Sequence, residues 1–202
     1  VSYVYNCDAN FGILPRDEQI AQHLVGAKQK YGRPEQYQAA WAKGARERVL
    51  KIAKILTDGG MHKGITLSLQ SLNPESLKLI KRVNMPLERL GETVAECNKL
   101  GIPTYTELIL PLPGQTYETF IHGLDTLLEA GQHDSVNVYP CMLLPNTEMV
   151  EPSYIQEHGL QSIWVESPAM HATPIGGGIP EYKEIVTATG TMPEADVRRA
   201  ML

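Results

Sequence analysis

Polar residues that follow two apolar, strand-like runs are the residues of this chain best suited to bind a small polar ligand. Gln70 and Ser71 directly follow the run 65–69, and Arg82 lies one helix length further on. An amide beside a guanidinium can bind the carboxylate of a zwitterionic ligand such as an amino acid. The same residues could instead cap the next helix and leave Arg82 in solvent, which is the more common case.

An acidic residue stands inside the second run. Glu107 lies within the apolar stretch 105–110, where a buried carboxylate needs a partner because its desolvation is costly. In nucleoside-binding sheets such a group commonly accepts hydrogen bonds from ribose hydroxyls, but a core ion pair with Lys or Arg fits equally well. The turn 111–116 then leads into a helix, with Gly114 permitting close backbone approach.

A third polar segment, 6–12, follows the first strand-like run. Asp8 and Asn10 in this segment could bind an amino group or a metal, although an Asx turn is more common for these residue types. Lys43 follows a weaker strand-like run and could face the same site. The three cysteines stand far apart, with neither disulfide-framework nor zinc or cluster spacing, so a reducing cytoplasm is the simplest compartment.

Strands and helices alternate along most of the chain. Hydrophobic periodicity and turn residues predict strands at 1–5, 36–42, 65–69, 105–110 and 135–139, and helices at 15–31, 46–56, 73–83, 87–100 and 117–129. This alternation predicts parallel strands with helices outside, in a barrel or an open sheet. The remaining segments are predicted as a helix at 151–161, a short strand at 163–166, a loop at 167–180 and helices at 181–187 and 193–201.

Composition limits the class of partner. With 202 residues, 43% hydrophobic content and a net charge of −5, the chain is typical of a single globular domain. It has no Lys/Arg run suited to a phosphate backbone and no apolar stretch long enough to span a bilayer. We therefore expect neither nucleic acid nor membrane as a partner.

Several of these segments together resemble the radical S-adenosylmethionine (radical SAM) superfamily. They are 68–71 with Arg82, 107–116 and 139–148, and the closest resemblance is to the cobalamin-binding-domain branch and to coproporphyrinogen-oxidase-like sequences. The resemblance covers about residues 1–149. It implies an α/β fold, a partial (β/α)6 TIM-like barrel of the radical SAM type that starts near its second strand, followed by a helix-and-loop extension at 150–202.

The resemblance also implies the parts of S-adenosylmethionine that individual residues contact. Gln70 and Arg82 would lie near the methionine carboxylate and Glu107 near the ribose, while the loop 8–12 would approach the amino group and backbone at Leu112 and 141–143 the adenine. The predicted cofactor-binding residues are Asp8, Asn10, Lys43, Gln70, Ser71, Arg82, Glu107, Leu112, Cys141 and Met142. No catalytic residue is predicted among them, and no metal ligand.

The chain departs from the family pattern in two places. The family's Cys-x3-Cys-x2-Cys motif, which holds a four-iron four-sulfur (4Fe-4S) cluster, is not in this sequence, and Pro111 stands where Gly is usual. Because the chain starts with Val rather than Met, we expect a fragment whose cluster, first strand and any cobalamin domain lie upstream. Such a fragment is expected to be inactive alone.

The function implied is that of an enzyme core. With its cluster and a reductant such as flavodoxin or ferredoxin, it would generate a 5′-deoxyadenosyl radical for hydrogen abstraction, or, with cobalamin, for methyl transfer, on an unknown small-molecule or peptide substrate. One alternative is a barrel fragment that binds a nucleoside without catalysis. Another is a metal-independent barrel lyase that uses Lys43 and Glu107.

Overall fold

The structure is a computed structural model that describes residues 1–42, 45–62, 64–166 and 181–202. Its strands are β1 (Tyr3–Phe11), β2 (Gln36–Trp41), β3 (Ile65–Gln70), β4 (Thr104–Leu110), β5 (Val136–Pro140), β6 (Met142–Leu143), β7 (Gln161–Glu166) and β8 (Tyr182–Ala188). Its α-helices are α1 (Arg16–Tyr31), α2 (Arg46–Asp58), α3 (Pro74–Leu79), α4 (Leu87–Leu100), α5 (Tyr117–Glu129), α6 (Pro152–His158) and α7 (Glu194–Ala200).

The strands of the described ranges form three sheets. β1 pairs with β2 in parallel, β3, β4 and β5 form the second sheet in that order, and β6, β8 and β7 form an antiparallel third sheet. Thr106 N–H donates to Ser135 O at the start of β4 and β5, and Cys141 N–H donates to Leu110 O at their end. Because the residue numbers rise in the same direction along both strands, β4 and β5 run parallel. The predicted α/β class is confirmed, but the described strands form no closed barrel.

The chain divides into two compact units, and the division passes through β3, β4 and β5. Unit 1 consists of Val1–Ser68, Met85–Glu107 and Leu128–Asn137, and unit 2 of Leu69–Asn84, Leu108–Leu127 and Val138–Leu202. The amino ends of the three strands therefore belong to unit 1 and their carboxyl ends to unit 2. The division at residue 149 that the sequence suggests stays a prediction.

Each unit has a buried apolar cluster of its own. In unit 1 the cluster consists of Phe11, Ala21, Tyr37, Ala39, Ile52, Leu56 and Met61. In unit 2 it consists of Leu112, Cys141, Leu143, Tyr154, Leu160 and Val186. Burial of apolar side chains is the main favourable contribution to the free energy of folding, and it stabilises the loops that pack beside these clusters. None of the helices in the described ranges is both long and apolar enough to cross a membrane.

Most of the segment 181–187 lies in strand β8 and not in the predicted helix, so that prediction is wrong. As β8 it lies between β6 and β7, with Met142 opposite Ile185 and Trp164 opposite Glu184. Pairing on both sides satisfies its backbone groups, and its β-branched residues suit a sheet. The predicted loop 167–180 lies outside the described residues.

Other element boundaries also differ from the sequence-based prediction, most of all at β1 and α3. β1 continues to Phe11 through the predicted polar loop, with an irregular register between Asn6 and Phe11. Helix α3 ends at Leu79 and not near residue 83, because Lys81 takes a left-handed φ of 54° and Arg82 N–H donates to Leu77 O. That bond is the six-to-one bond of a Schellman helix end.

Candidate functional site

The carboxyl ends of β3, β4 and β5 and the loops that follow them lie together in unit 2. Ligands bind at this end of parallel strands in α/β folds. Unit 2 contains six of the predicted cofactor-binding residues, namely Gln70, Ser71, Arg82, Leu112, Cys141 and Met142. Asp8, Asn10 and Glu107 belong to unit 1, and Lys43 lies outside the described residues.

Gln70 occupies an unusual turn at the end of β3. Its φ is 59°, and Ser71 N–H donates to Leu69 O at 2.8 Å, so the chain reverses around Gln70 in a three-residue turn. A three-residue turn with positive φ at its centre is strained for a residue that carries a Cβ. The Gln70 side-chain Oε1 is buried and, among the described residues, has no hydrogen-bond partner. A buried amide oxygen of this kind is a candidate ligand contact.

Ser71 fastens the loop after β3 to its neighbours. Its side chain is 1% exposed, and its Oγ accepts hydrogen bonds from Asn73 N–H at 3.1 Å and from Gln115 Nε2 at 3.3 Å. Its carbonyl oxygen accepts from Asn84 Nδ2 at 2.7 Å. The hydroxyl oxygen therefore holds protein groups in place, and only its proton is left to donate elsewhere.

Arg82 lies just beyond the end of α3, where its backbone N–H closes the helix on Leu77 O at 2.8 Å. Arg82 is half-buried, and within the described ranges its guanidinium forms neither an ion pair nor a hydrogen bond. A guanidinium without a protein partner can bind a carboxylate through two parallel hydrogen bonds.

The loop after β4 is built around a residue that the sequence-based prediction leaves out. Gln115 is 2% exposed, and its Oε1 accepts the N–H of the buried Leu112 at 3.2 Å. Gly114 has φ 75°, and a Cβ there would lie 2.8 Å from Glu75 Cγ, so only glycine fits against the first turn of α3. The signal for Gln115 in the sequence is a lone amide between this glycine and a helix start.

Cys141 and Met142 follow the end of β5. Cys141 is 3% exposed, its N–H donates to Leu110 O at 2.8 Å and its carbonyl oxygen accepts from Val186 N–H at 2.9 Å. Burial raises the pKa of the Cys141 thiol to about 12, so the thiol stays protonated and is a weak nucleophile. Met142 is 44% exposed and keeps a flexible apolar surface beside this strand end.

The predicted residues of unit 1 have partners of their own. Glu107 Oε2 accepts from Ser68 Oγ at 2.8 Å across β3 and β4. Asp8 Oδ1 accepts from Asn10 N–H at 2.9 Å, and Asp8 N–H donates to Asn6 Oδ1 at 2.9 Å. These are consecutive Asx turns, so the more common alternative holds for the backbone of this segment. The cofactor contacts of Asp8, Asn10 and Glu107 stay predictions.

Within the described residues, no group of three or more His, Cys, Asp or Glu side chains is placed to hold a metal ion.

Comparison with known proteins identifies relatives of one kind. The chain is 38% identical over 197 residues to the cobalamin-dependent radical SAM methyltransferase TokK of Streptomyces tokunonensis, a match that covers 96% of this chain and 28% of TokK. It is 39% identical over 172 residues to 2-(S-pantetheinyl)-carbapenam-3-carboxylate methyltransferase of Streptantibioticus cattleyicolor, covering 83% of this chain and 25% of that enzyme. No protein-family model matches the chain.

A solved structure agrees at the level of the fold. The radical S-adenosylmethionine methyltransferase TsrM from Kitasatospora setae, solved with cobalamin and a [4Fe-4S] cluster bound, has a TM-score of 0.50 and 16% identity, covering 98% of this chain and 43% of TsrM. Both sequence relatives are methyltransferases, and along nearly its whole length the chain is a homologue of a cobalamin-dependent radical SAM methyltransferase. It spans 28% and 25% of the two curated relatives described above.

Proposed function

We propose that this chain is the S-adenosylmethionine-binding segment of a cobalamin-dependent radical SAM methyltransferase that acts on a small molecule. The observation that carries the proposal is the identity of 38% to TokK along nearly the whole chain. The fold shared with TsrM supports it. The S-adenosylmethionine, the 4Fe-4S cluster and the cobalamin all belong to the proposal, as does the partial barrel, and an electron donor such as flavodoxin or ferredoxin is its corollary.

The strand ends of unit 2 fit the methionine end of S-adenosylmethionine. Gln70 presents a buried oxygen without a partner, and Arg82 presents a guanidinium without an ion pair, both among the described residues. The guanidinium would bind the methionine carboxylate, and the amide of Gln70 would complete the polar contacts of the ligand. An unsatisfied buried amide oxygen costs stability, and a bound ligand would remove that cost.

The loops around these residues would position the cofactor and exclude water. The backbone at Leu112, Cys141 and Met142 would face the adenine, where the buried Leu112 and Cys141 side chains make the surroundings apolar. When bound, S-adenosylmethionine and cobalamin supply the transferable methyl group and the radical chemistry. For Glu107 we propose hydrogen bonds to ribose hydroxyls, and for Asp8 and Asn10 an approach to the amino group.

The substrate proposal starts from the second relative. That enzyme's name states that it methylates 2-(S-pantetheinyl)-carbapenam-3-carboxylate, a small carboxylated thioether, and it is 39% identical to this chain. We propose a small molecule of this chemical class as the first substrate to test. The alternative of a nucleoside-binding fragment without catalysis is not favoured, because the relatives are methyltransferases.

The test uses the full-length protein, reconstituted anaerobically with iron, sulfide and cobalamin. We expect about four irons per chain and, with reductant, transfer of a deuterium-labelled methyl group from S-adenosylmethionine to the carbapenam thioether, followed by mass spectrometry. A protein that binds iron but consumes no S-adenosylmethionine would contradict the proposed enzymatic activity. Consumption of S-adenosylmethionine without methylated thioether would contradict only the substrate class.

A pair of arginine variants tests the placement of the methionine carboxylate. Arg82→Met should weaken S-adenosylmethionine binding by about tenfold or more, because a charge-assisted hydrogen bond is lost. Arg89→Met is the matched control, since Arg89 is exposed on α4 and its guanidinium also has no partner in the described ranges. Equal binding by the two variants would contradict the proposed role of Arg82.

A further inference from the structure

A buried glutamine joins the two loops that flank the candidate site. We propose that Gln115 is a positioning residue, whose side chain holds the β3 and β4 loops together and keeps Gln70 in its strained turn. We call the side chain of Gln115 with its partners Ser71 and Leu112 the amide clamp. All three residues of the clamp belong to unit 2, and only the name of the ligand rests on the proposed function.

The turn at Gln70 needs something to hold it. Its φ of 59° is a conformation that residues other than glycine rarely adopt, and the turn is closed by the hydrogen bond from Ser71 N–H to Leu69 O. Strain of this kind persists only where the surrounding structure determines it, and it concentrates at functional sites. The residue that closes the turn, Ser71, is also the residue that Gln115 contacts.

Both the nitrogen and the oxygen of the Gln115 side-chain amide form hydrogen bonds in the amide clamp. Gln115 Nε2 donates to Ser71 Oγ at 3.3 Å, and Gln115 Oε1 accepts from Leu112 N–H at 3.2 Å. All three residues are at most 2% exposed. Removing the amide would leave the Leu112 N–H buried without a partner, so the clamp is costly to break.

Further hydrogen bonds fasten both sides of the clamp. On the β3 side, Asn84 Nδ2 donates to Ser71 O at 2.7 Å, and Asn73 Nδ2 reaches across to Gly114 O at 3.2 Å. On the β4 side, Thr191 Oγ1 donates to Gln115 O at 2.7 Å. Thr191 lies in the turn between β8 and α7, so the carboxyl-terminal segment of the chain contributes to the position of Gln115.

This arrangement predicts that stability and ligand binding oppose each other at Gln70. The clamp holds Gln70 in a conformation that glycine would adopt without strain, and it thereby directs the Gln70 amide oxygen, which has no partner among the described residues. Replacement by glycine should relieve the strain but remove the amide. If the clamp is what imposes the strain, the relief should vanish once the clamp is gone.

A double-mutant cycle in the full-length protein tests the clamp without any ligand. Gln70→Gly should raise the Tm measurably, because it relieves the strain of the turn, while Gln70→Ala should not raise it. In a Gln115→Leu background, Gln70→Gly should raise the Tm by less than half as much. An equal rise in both backgrounds, or no rise in either, would overturn the proposal.

Binding of S-adenosylmethionine, measured by calorimetry on the reconstituted full-length protein, tests the positioning role. We expect Gln115→Leu to weaken binding about tenfold and Gln115→Glu to restore it to within about threefold, because a carboxylate still accepts from Leu112 N–H and from the Ser71 hydroxyl. Gln132→Leu is the matched control, since Gln132 is 0% exposed and its amide contacts Thr104 and Ser135 instead.

The outcomes separate the two proposals. Weaker binding by Gln115→Leu than by Gln132→Leu, at similar loss of Tm, supports the clamp. Equal loss of affinity in both variants would mean that Gln115 has only a structural role. If Gln132→Leu does not fold, the comparison uses Gln115→Glu instead. Failure of Gln115→Glu to restore binding would then also mean that the role of Gln115 is only structural. If the wild-type protein binds no S-adenosylmethionine, the proposed function fails, and the double-mutant cycle still decides the clamp.

Discussion

At the scale of single residues, buried polar side chains shape the loops of this protein. Asp17, in the first turn of α1, is 2% exposed, and its Oδ2 accepts the N–H groups of Gly12 at 2.9 Å and Leu14 at 3.0 Å. The carboxylate thus ties the end of β1 to the start of α1. Asp17 stands where the helix dipole favours an acid, but the sequence does not reveal its two bonds to the loop.

Asp17→Ala should lower the free energy of unfolding by about 2–3 kcal/mol, because two backbone N–H groups lose their buried acceptor. Urea denaturation checks the size of the loss. The control is Asp125→Ala, since Asp125 is exposed on α5 and should change stability by less than about 0.5 kcal/mol. Similar losses in both variants would show that the loop bonds of Asp17 contribute little.

His62 should make the stability of the protein depend on pH. Its ring packs edge-on against Trp41 with centroids 5.1 Å apart, and burial lowers the pKa of His62 to about 4. The unfolded chain, with a histidine pKa near 6.5, binds the proton more readily, so stability is full above about pH 6.5 and falls towards pH 4. The expected loss between pH 7 and pH 4.5 is about 2 kcal/mol.

Urea unfolding of His62→Phe at both pH values measures this contribution. The variant keeps an aromatic ring against Trp41 and should lose about 2 kcal/mol less than the wild type on acidification. His122→Gln, which changes an exposed histidine on α5, should follow the wild type. A His62→Phe variant with unaltered pH dependence would contradict the assignment.

At the scale of elements, two glycines show opposite requirements. Gly64, just before β3, has φ 129°, and a Cβ there would lie 2.6 Å from Pro103 O. Gly26 lies inside α1, where a Cβ would meet no atom within 4 Å. The first glycine permits a close approach of two backbones, while the second only adds freedom to the unfolded chain.

Gly64→Ala should therefore destabilise the protein by about 3 kcal/mol, because the new methyl group meets backbone and the φ is unsuited to alanine. Gly26→Ala should stabilise it by about 0.5–1 kcal/mol through better helix propensity. Thermal unfolding of the two variants and the wild type measures the sign of each change in stability. Shifts of the same sign would contradict this account of Gly64.

The elements also show how far sequence patterns reach. The predicted helices 87–100 and 117–129 coincide with α4 and α5, because the residues that end them act locally: Gly101 takes a left-handed φ of 66° and closes α4 on Asn98 O and Cys97 O. The prediction for the segment of β8 is wrong, because its strand structure depends on partners elsewhere in the chain. These partners are the short β6 and β7, and both are distant from β8 in sequence. The β-branched residues of β8 suit a strand, and pairing on both sides decides its structure.

At the scale of the whole molecule, the cysteines should differ in reactivity according to their burial. Cys7 is exposed on β1, whereas Cys97 and Cys141 are buried, and burial raises their thiol pKa values to about 11 and about 12. Thiolate is the reactive form, so both buried thiols should react slowly. Alkylation at pH 8, followed by mass spectrometry of peptides, should label Cys7 first and the other two only after unfolding. Early labelling of Cys141 would contradict its packing in unit 2.

By itself, the sequence determines the order of most elements and the segments that resemble a radical SAM enzyme, because periodicity, caps and short motifs are local properties. It also indicates Gln70, Ser71 and Arg82, which follow a strand where ligands bind in α/β folds. Only the tertiary structure decides that Gln70 is strained, that Gln115 and Ser71 hold it, and that 182–188 is a strand. Those features depend on hydrogen bonds between segments far apart in the chain, for example 44 residues between Ser71 and Gln115, and no local pattern encodes such partners.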